Sequence, residues 1–589
     1  MATNYNINQN SAQQQQTSSL KAVGKLYKLI AHEKKNLIIA FGAILTNSAL
    51  QLVAPLMIGH AVDAYITTKQ FNGLLITGAI LLAMYLLALL TSYLQTKLMG
   101  SIGQRTLFTL RNTLFKKLQE LPIAFFNQNK AGDLISRLNN DTDKINQFFS
   151  QSLMQFIGSL VTMIGAGLFL LFINIKLGSA ALGPAPLILL FTMTVSPWVK
   201  RKNATNLKSV GGMSAEIQES LNNFRVIIAF NRRDYFRRKF NEANQQNYKT
   251  AIGAGLANNI FLPIYGFFSS LAQLVVLAFG IYLIAEKEFT IGLLVSYLSY
   301  ATNFYNPLRQ LAALWTNFQV AMAGWDRISH ILSLESNLQE EPSGASLLDG
   351  SAVINFQNVS FSYPDSDEIL HHVSFALQKG KTYAFVGPTG GGKTTTASLI
   401  ARLYDPTHGT VFLDGRDIRT FSSSERAEKI SFILQEPILF TGTVKDNLIY
   451  GNDKLLSCTN EQLEEVIREN RLEKLLSIFE QGLNTTVAAT GDSISLGQKQ
   501  LIAFMRAVLR DPGLLILEEA SANIDTVTEH LLTEILDQLP EKTTRVIIAH
   551  RLNTIEKADE IFFVNSGNVV PAGSLDHAVD MLMQGRRAS

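Results

Sequence analysis

Apolar positions are unevenly placed along the chain. From about Asn36 to Gly324 there are roughly six apolar stretches near the ~20 residues that a helix needs to cross a bilayer. They run from Leu37 to about Ile58, Leu74 to Leu94, Phe156 to Ile173, Leu177 to Trp198, about Ile260 to Ile284, and about Phe289 toward Leu314. The second contains the almost purely apolar ILLAMYLLALL. Six buried helices of a large soluble enzyme are the competing reading, but such helices seldom stay free of charge for so long. Beyond Gly350 the pattern changes to short strand-like runs alternating with helical segments: VINFQNVSF, KTYAFVG, GTVFLDG, KISFIL, GLLILEE, TRVIIAH and EIFFVN. That alternation predicts an α/β domain with a largely parallel sheet.

Lysine and arginine set the expected orientation. Lys21, Lys25, Lys28, Lys34 and Lys35 precede the first span, and residues 97–144 and 200–249 carry dense basic and mixed charge. The other connections are short and hold single lysines, Lys69, Lys176 and Lys287. The positive-inside rule places both termini and the two long connections in the cytoplasm. Leu107, Leu110, Leu114 and Leu118 recur at helical spacing, so the first long connection reads as a membrane helix extended beyond the bilayer. Residues 1–20, with QQQQ, read as a disordered polar tail, and no signal peptide is expected because polarity and charge come first. Residues 21–335 then form the membrane domain, 336–350 a linker rich in Pro, Gly, Ser and acids, and 351–589 the α/β domain.

Composition agrees. Of 589 residues 47% are hydrophobic and 17% charged, below the ~25% of soluble domains. Lys plus Arg number 51 against 48 acids, a net charge of +3 that argues against a nucleic-acid partner. The single Cys458 excludes an intramolecular disulfide framework and a multi-cysteine metal site.

The chemistry concentrates at two strand ends. Gly387-Pro388-Thr389-Gly390-Gly391-Gly392-Lys393-Thr394 fits G-x-x-x-x-G-K-[ST], follows the strand Thr382 to Val386 and opens a helix expected over Thr394 to Leu403. Its glycines let successive N–H groups face phosphate oxygens, with the helix N-terminus behind them. Lys393 would reach the β- and γ-phosphates and the Thr394 hydroxyl would sit on Mg²⁺, with Thr395 counted among the nucleotide contacts. A second apolar strand, Gly513 to Leu517, ends in Glu518-Glu519, two acids suited to organising magnesium and polarising water. The fold class is therefore a membrane α-helical domain of about six transmembrane helices followed by an α/β P-loop NTPase domain.

With these motifs in order, the second half resembles the nucleotide-binding domain of an ABC transporter, and the membrane half resembles the exporters of that family. The resemblance spans the chain apart from tail and linker. It implies that Tyr363 stacks on adenine and that Gln435 is the Q-loop glutamine sensing magnesium. By the same resemblance Asp525 belongs to the D-loop, Glu519 is the catalytic acid, and His550 is the switch histidine at the γ-phosphate. Two connections, LPIAFFNQNKAGDLISRLNNDTD and the segment around Phe224 to Asn231, resemble the coupling segments that meet the nucleotide domains.

Three departures stand out. The family signature L-S-G-G-Q reads Ile494-Ser495-Leu496-Gly497-Gln498, and the arginine usual downstream is Leu501. In the family this loop, here Ser495, Gly497 and Gln498, caps nucleotide bound by the opposite subunit, and a leucine side chain there hinders closure. Glu518 replaces aspartate, and Ala489 stands where the family has glutamate. This pattern resembles one half of bacterial heterodimeric multidrug exporters. The resemblance implies an ATP-driven half-transporter in a bacterial-type inner membrane, exporting lipophilic or amphipathic compounds through aromatic and Met-rich spans. A symmetric homodimer, a lipid flippase or peptide exporter, and a nucleotide-binding regulatory or channel-like protein with little hydrolysis remain as alternatives.

Overall fold

The computed structural model describes residues 5–7, 33–338, 340–341, 351–364, 366–488, 494–518, 526–548, 555–573 and 575–584. They form two compact units: residues 11–118 with 132–333, and residues 1–10 with 119–131 and 334–589.

The first unit is helical. Its principal helices are Lys34–Ala61, Phe71–Glu120, Leu153–Ile173, Pro184–Asn222, Arg233–Asn259, Phe261–Ala285 and Ile291–Ser333. Phe71–Glu120 has 50 residues, about 75 Å at 1.5 Å per residue, far more than a bilayer core. Its extension is helical as the leucine spacing predicts, and Leu107, Leu110, Leu114 and Leu118 are all buried. By contrast, the most apolar window of this helix is only 6% buried, and Leu75, Leu82, Leu86, Leu89 and Leu90 lie exposed. Water would not tolerate such a surface, whereas lipid matches it. The soluble-enzyme reading fails on that observation.

Among the described residues five helical stretches are long and apolar enough to cross a membrane: Lys34–Ile66, Phe71–Glu120, Ala131–Ile173, Ile175–Asn222 and Arg233–Ala285. The sixth expected span falls in Ile291–Ser333, which is long but lies outside that set. Its polar residues, Ser296, Ser299, Thr302, Asn303 and Asn306 among them, lower its hydropathy. Several of them tie helices together. Ser296 donates to the carbonyl of Pro55 at 2.7 Å, Tyr305 to that of Ala181 at 2.8 Å, and Tyr300 to that of Leu52. Without water, such bonds replace the hydrophobic effect as interhelical glue. Gly59 and Gly292 allow the first and last helices to touch, because a Cβ on Gly292 would sit 1.9 Å from the carbonyl oxygen of Gly59.

Strands of the second unit are β1 (Ala352–Ser362), β2 (Glu368–Gln378), β3 (Thr382–Val386), β4 (His408–Leu413), β5 (Arg416–Asp417), β6 (Ile430–Ile433), β7 (Gly442–Thr443), β8 (Thr486–Val487), β9 (Leu514–Glu518), β10 (Thr544–Ile548), β11 (Glu560–Asn565) and β12 (Asn568–Pro571). The central sheet has the order β12-β11-β3-β10-β9-β6 and is parallel except for β12. This corrects the expectation in one respect. The runs VINFQNVSF and GTVFLDG do not join it; they form β1 and β4 of a separate antiparallel sheet, β2-β1-β4-β5. The central strands read as unbroken apolar runs because both faces are covered, as in β3 and β9, where every residue is buried.

Two segments outside the α/β sequence belong to this unit. The short helix Ile123–Gln128 buries Phe125 completely. Against it lies the N-terminal segment Tyr5–Ile7, which departs from the expected disordered tail. Tyr5 and Ile7 are buried, and the Tyr5 ring meets Phe125 edge-on, centroids 6.4 Å apart. The Tyr5 amide donates to Gln128 Oε1 at 2.7 Å, and Asn129 Nδ2 donates to the Tyr5 carbonyl at 2.9 Å. The Tyr5 hydroxyl donates to the Glu335 carbonyl at 3.0 Å and accepts from the Asn337 amide at 2.9 Å. A short polar run is ordered here because its backbone groups find side-chain partners and its one ring finds a pocket. Tyr5→Ala is expected to speed amide exchange of residues 123–129 about tenfold, a local opening set by loss of the ring and its bonds. Unchanged exchange would show that the segment docks passively.

Candidate nucleotide site

In the central sheet β3, β10 and β9 lie side by side and parallel, so Val386, Ile548 and Glu518 end at one edge. That edge is where open α/β sheets bind ligands. After Val386 the chain turns through Gly387, Gly390 and Gly392, with φ of +149°, +82° and +114°. Gly387 has no alternative: a Cβ there would lie 2.0 Å from the Val564 carbonyl oxygen. The helix that follows runs Lys393–Ile400, beginning at the lysine and ending three residues before the expected Leu403.

The turn folds the lysine over itself. Lys393 Nζ donates to the carbonyls of Gly387 at 2.8 Å and Pro388 at 3.0 Å. Thr394 Oγ1 donates to Glu518 Oε1, joining the loop to the end of β9. Glu518 is 7% exposed, and the methylene it has beyond aspartate carries its carboxylate to the threonine. Thr389, Gly390, Gly392, Lys393, Thr394, Thr395, Gln435 and Glu518 line one cavity of about 380 Å³. The structure thus brings together the P-loop, the Q-loop glutamine and the first acid of the Glu518-Glu519 pair, which lie 41 and 124 residues beyond Thr394 in the sequence. Glu519, Asp525, His550 and Ala489 lie outside the described residues.

Tyr363 stands beside the loop, its hydroxyl 3.3 Å from Thr395 Oγ1. Its ring packs edge-on against Phe361 and Tyr404, centroids 4.9 and 5.1 Å apart. Tyr404 went unnoticed in the sequence. It accepts a 2.8 Å hydrogen bond from Asn127 Nδ2, and burial pushes its phenol above the ordinary tyrosine range. Asn127, Tyr404, Tyr363 and Thr395 therefore make a continuous line of contacts from the helix Ile123–Gln128 to the P-loop. Nothing in the spacing signals this pairing, because it depends on two distant segments meeting in space.

The signature residues sit apart from that cavity. Ser495 caps the helix Leu496–Val508: its hydroxyl accepts from the Gln498 amide at 3.1 Å, and Gln498 Oε1 accepts from the Ser495 amide at 2.9 Å. This capping box leaves Leu496 at the first helical position, the residue 42% exposed. Leu501, where an arginine was expected, is buried in the apolar core.

Two family models match the chain: the ABC transporter transmembrane region over residues 37–308 and the ABC transporter model over residues 370–522. Over 566 residues the chain is 32% identical to the uncharacterized ABC transporter ATP-binding protein YfiC of Bacillus subtilis, covering 94% of this chain and 91% of that protein. The chain belongs to the ABC transporter family. This transporter is also 32% identical over 499 residues to a fatty acid ABC transporter ATP-binding/permease protein of Mycobacterium bovis, covering 85% and 78% of the two chains. It is 28% identical over 562 residues to a multidrug resistance ABC transporter ATP-binding and permease protein of Lactococcus lactis, covering 95% and 94%. It is an integral membrane protein that binds ATP and couples an ATPase domain to transport, with both domains on one chain as in exporters.

Proposed function

We propose that this transporter is an ATP-driven export half-transporter for lipophilic or amphipathic compounds, working as a dimer with a second half-transporter. A heterodimer is favoured. The observation that carries this reading is the exposed Leu496 at the head of a capped helix, outside the lining of the chain's own P-loop cavity. A signature loop so placed serves a nucleotide held by another chain, and its leucine blocks backbone approach there. The chain's own cavity has no such obstruction. It is the pocket expected to hydrolyse once a partner supplies an unmodified signature, with Lys393 on the phosphates, Glu519 polarising water and His550 at the γ-phosphate. The segment Phe224–Ala229 supports a partner too, since Phe224, Val226, Ile228 and the following Phe230 are exposed.

The donor set fits Mg²⁺. Thr394 hydroxyl, Glu518 carboxylate and the Gln435 side chain offer hard oxygens to one cavity. Bound there, Mg²⁺ would neutralise phosphate charge. Lys393 and the loop amides position the phosphates, and Thr394 is itself held by Glu518. Both termini and the ATPase domain are assigned to the cytoplasm of a bacterial-type inner membrane, as the distribution of Lys and Arg indicates.

The test is steady-state ATPase activity of the purified chain, alone and with a candidate partner half-transporter. Activity is expected only with the partner, and Glu519→Gln should reduce it by ~10²–10⁴, the usual worth of a general base. Robust activity of the chain alone would replace the heterodimer with a homodimer. ATP binding without hydrolysis in either preparation would favour the regulatory alternative.

A further inference from the structure

Cargo contact and packing are the two readings of the aromatic side chains in the spans, and the structure uses several of them for packing. Phe169 stacks on Tyr300 at 5.2 Å, Phe191 meets Phe261 at 6.1 Å, and Phe304 meets Tyr305 at 5.1 Å. The open space among these helices has a different character. A cavity of about 600 Å³ lies between Lys34–Ala61, Phe71–Glu120, Leu153–Ile173 and Ile291–Ser333. Its lining is dominated by carboxamides, Asn47, Gln51, Gln95, Gln155, Asn306 and Gln310, supplemented by hydroxyls. No described residue that lines it carries a charge.

We infer that this cavity selects cargo by an uncharged head bearing several adjacent hydroxyl or amide groups, on an apolar body. The inference rests on the exporter reading above. Asn47, Gln51, Asn306 and Gln310 fall within the first and sixth spans, where carboxamides are costly unless they find partners, and Gln95 and Gln155 stand one residue beyond the second and third. Packing accounts for only part of the set: Gln51 donates to Asn47 at 2.8 Å on its own helix, and Ser159 donates to Gln310 at 3.2 Å between helices. Among the described residues Gln95, Gln155 and Asn306 make no such bond. Backbone adds acceptors. Pro55 and Pro307 lie inside their helices and lack the N–H that would bond the carbonyls of Gln51 and Asn303, both in the cavity wall. Asn303 Nδ2 reaches the freed Gln51 carbonyl only at 3.5 Å, a long contact that a better donor would displace. Neutral groups that both donate and accept, beside freed carbonyls, suit sugar hydroxyls or peptide amides. They offer no counter-charge to an ammonium or a carboxylate, whose burial without a partner is costly.

The test uses the full-length chain in lipid nanodiscs and radiolabelled dodecyl glucoside below its micelle concentration. Competitors are a dodecanoyl dipeptide amide, dodecyltrimethylammonium and dodecanoate, which share the alkyl length and differ in the head. Dodecyl glucoside, the peptide amide, or both should bind about tenfold more tightly than the charged pair, the worth of one or two uncharged hydrogen bonds. Whichever uncharged head wins identifies sugar or peptide as the source. The double variant Gln155→Leu, Asn306→Leu should lose that preference while still binding a fluorescent ATP analogue. Asn306→Asp should instead shift preference toward dodecyltrimethylammonium. Equal binding of all four heads, or variants with unchanged selectivity, would overturn the inference. ATP-driven uptake of a lipophilic dye into inverted vesicles that carry the chain together with its partner half-transporter is measured separately. Transport without head selectivity would discard the inference alone, whereas selectivity without any transport would discard the exporter reading and the cargo assignment with it.

Discussion

Lys393→Ala lowers ATP hydrolysis by ~10²–10³, the usual cost of removing one preorganised donor to developing charge. The geometry makes the loss larger than that of a surface cation. Lys393 Nζ is held by the carbonyls of Gly387 and Pro388, so the ammonium is positioned before nucleotide arrives. Alanine removes both the phosphate contact and the bond that closes the loop on itself. The effect should therefore fall on nucleotide affinity as well as on turnover. Titration with a fluorescent ATP analogue beside a phosphate-release assay separates the two. Full affinity with lost turnover would mean that the loop is ordered without the lysine; unchanged turnover would remove Lys393 from the site.

Leu496→Gly acts in the opposite direction. It is expected to raise the residual ATPase rate of the isolated chain about tenfold by letting two copies close on each other, because donors at the signature loop serve the charge that develops on a facing phosphate. Ser495 already caps the helix, and its N-terminal amides form an anion site by their nature. What stands at the first helical position beside them is a leucine that is exposed at the surface. Its removal costs the helix at most ~1 kcal/mol, the penalty of an interior glycine. Leu501, the other signature change, is enclosed in core, so reverting it to arginine would bury a charge and should lower stability instead. A rate that does not change with Leu496→Gly would show that the leucine is not the barrier to closure.

The sequence was informative where chemistry is local. The P-loop could be placed to within a few residues, because its glycines, lysine and flanking strand act through backbone conformation over a dozen positions. The membrane helices were visible because a bilayer demands long apolar runs whatever packs against them. Leu496 could be singled out because one side chain departs from a short motif.

Contacts between distant segments were not legible in this way. Assignment of β1 and β4 to a separate antiparallel sheet depends on pairing partners, and an apolar run carries no mark of its neighbour. Tyr404 and Asn127 are ordinary residues until the helix Ile123–Gln128 is laid against the α/β unit. Tyr5 looked like part of a polar tail until Phe125, Asn129 and Asn337 were gathered around it. The cavity of carboxamides is the clearest case. Asn47 and Asn306 fall inside two apolar spans and Gln95 and Gln155 flank two others, and nothing in the local sequence joins them. Local propensity and hydropathy are properties of neighbours in the chain, and so the sequence specifies helices, strands and the phosphate loop. A binding surface is made of neighbours in space, and the packing of those helices assembles scattered amides into one wall.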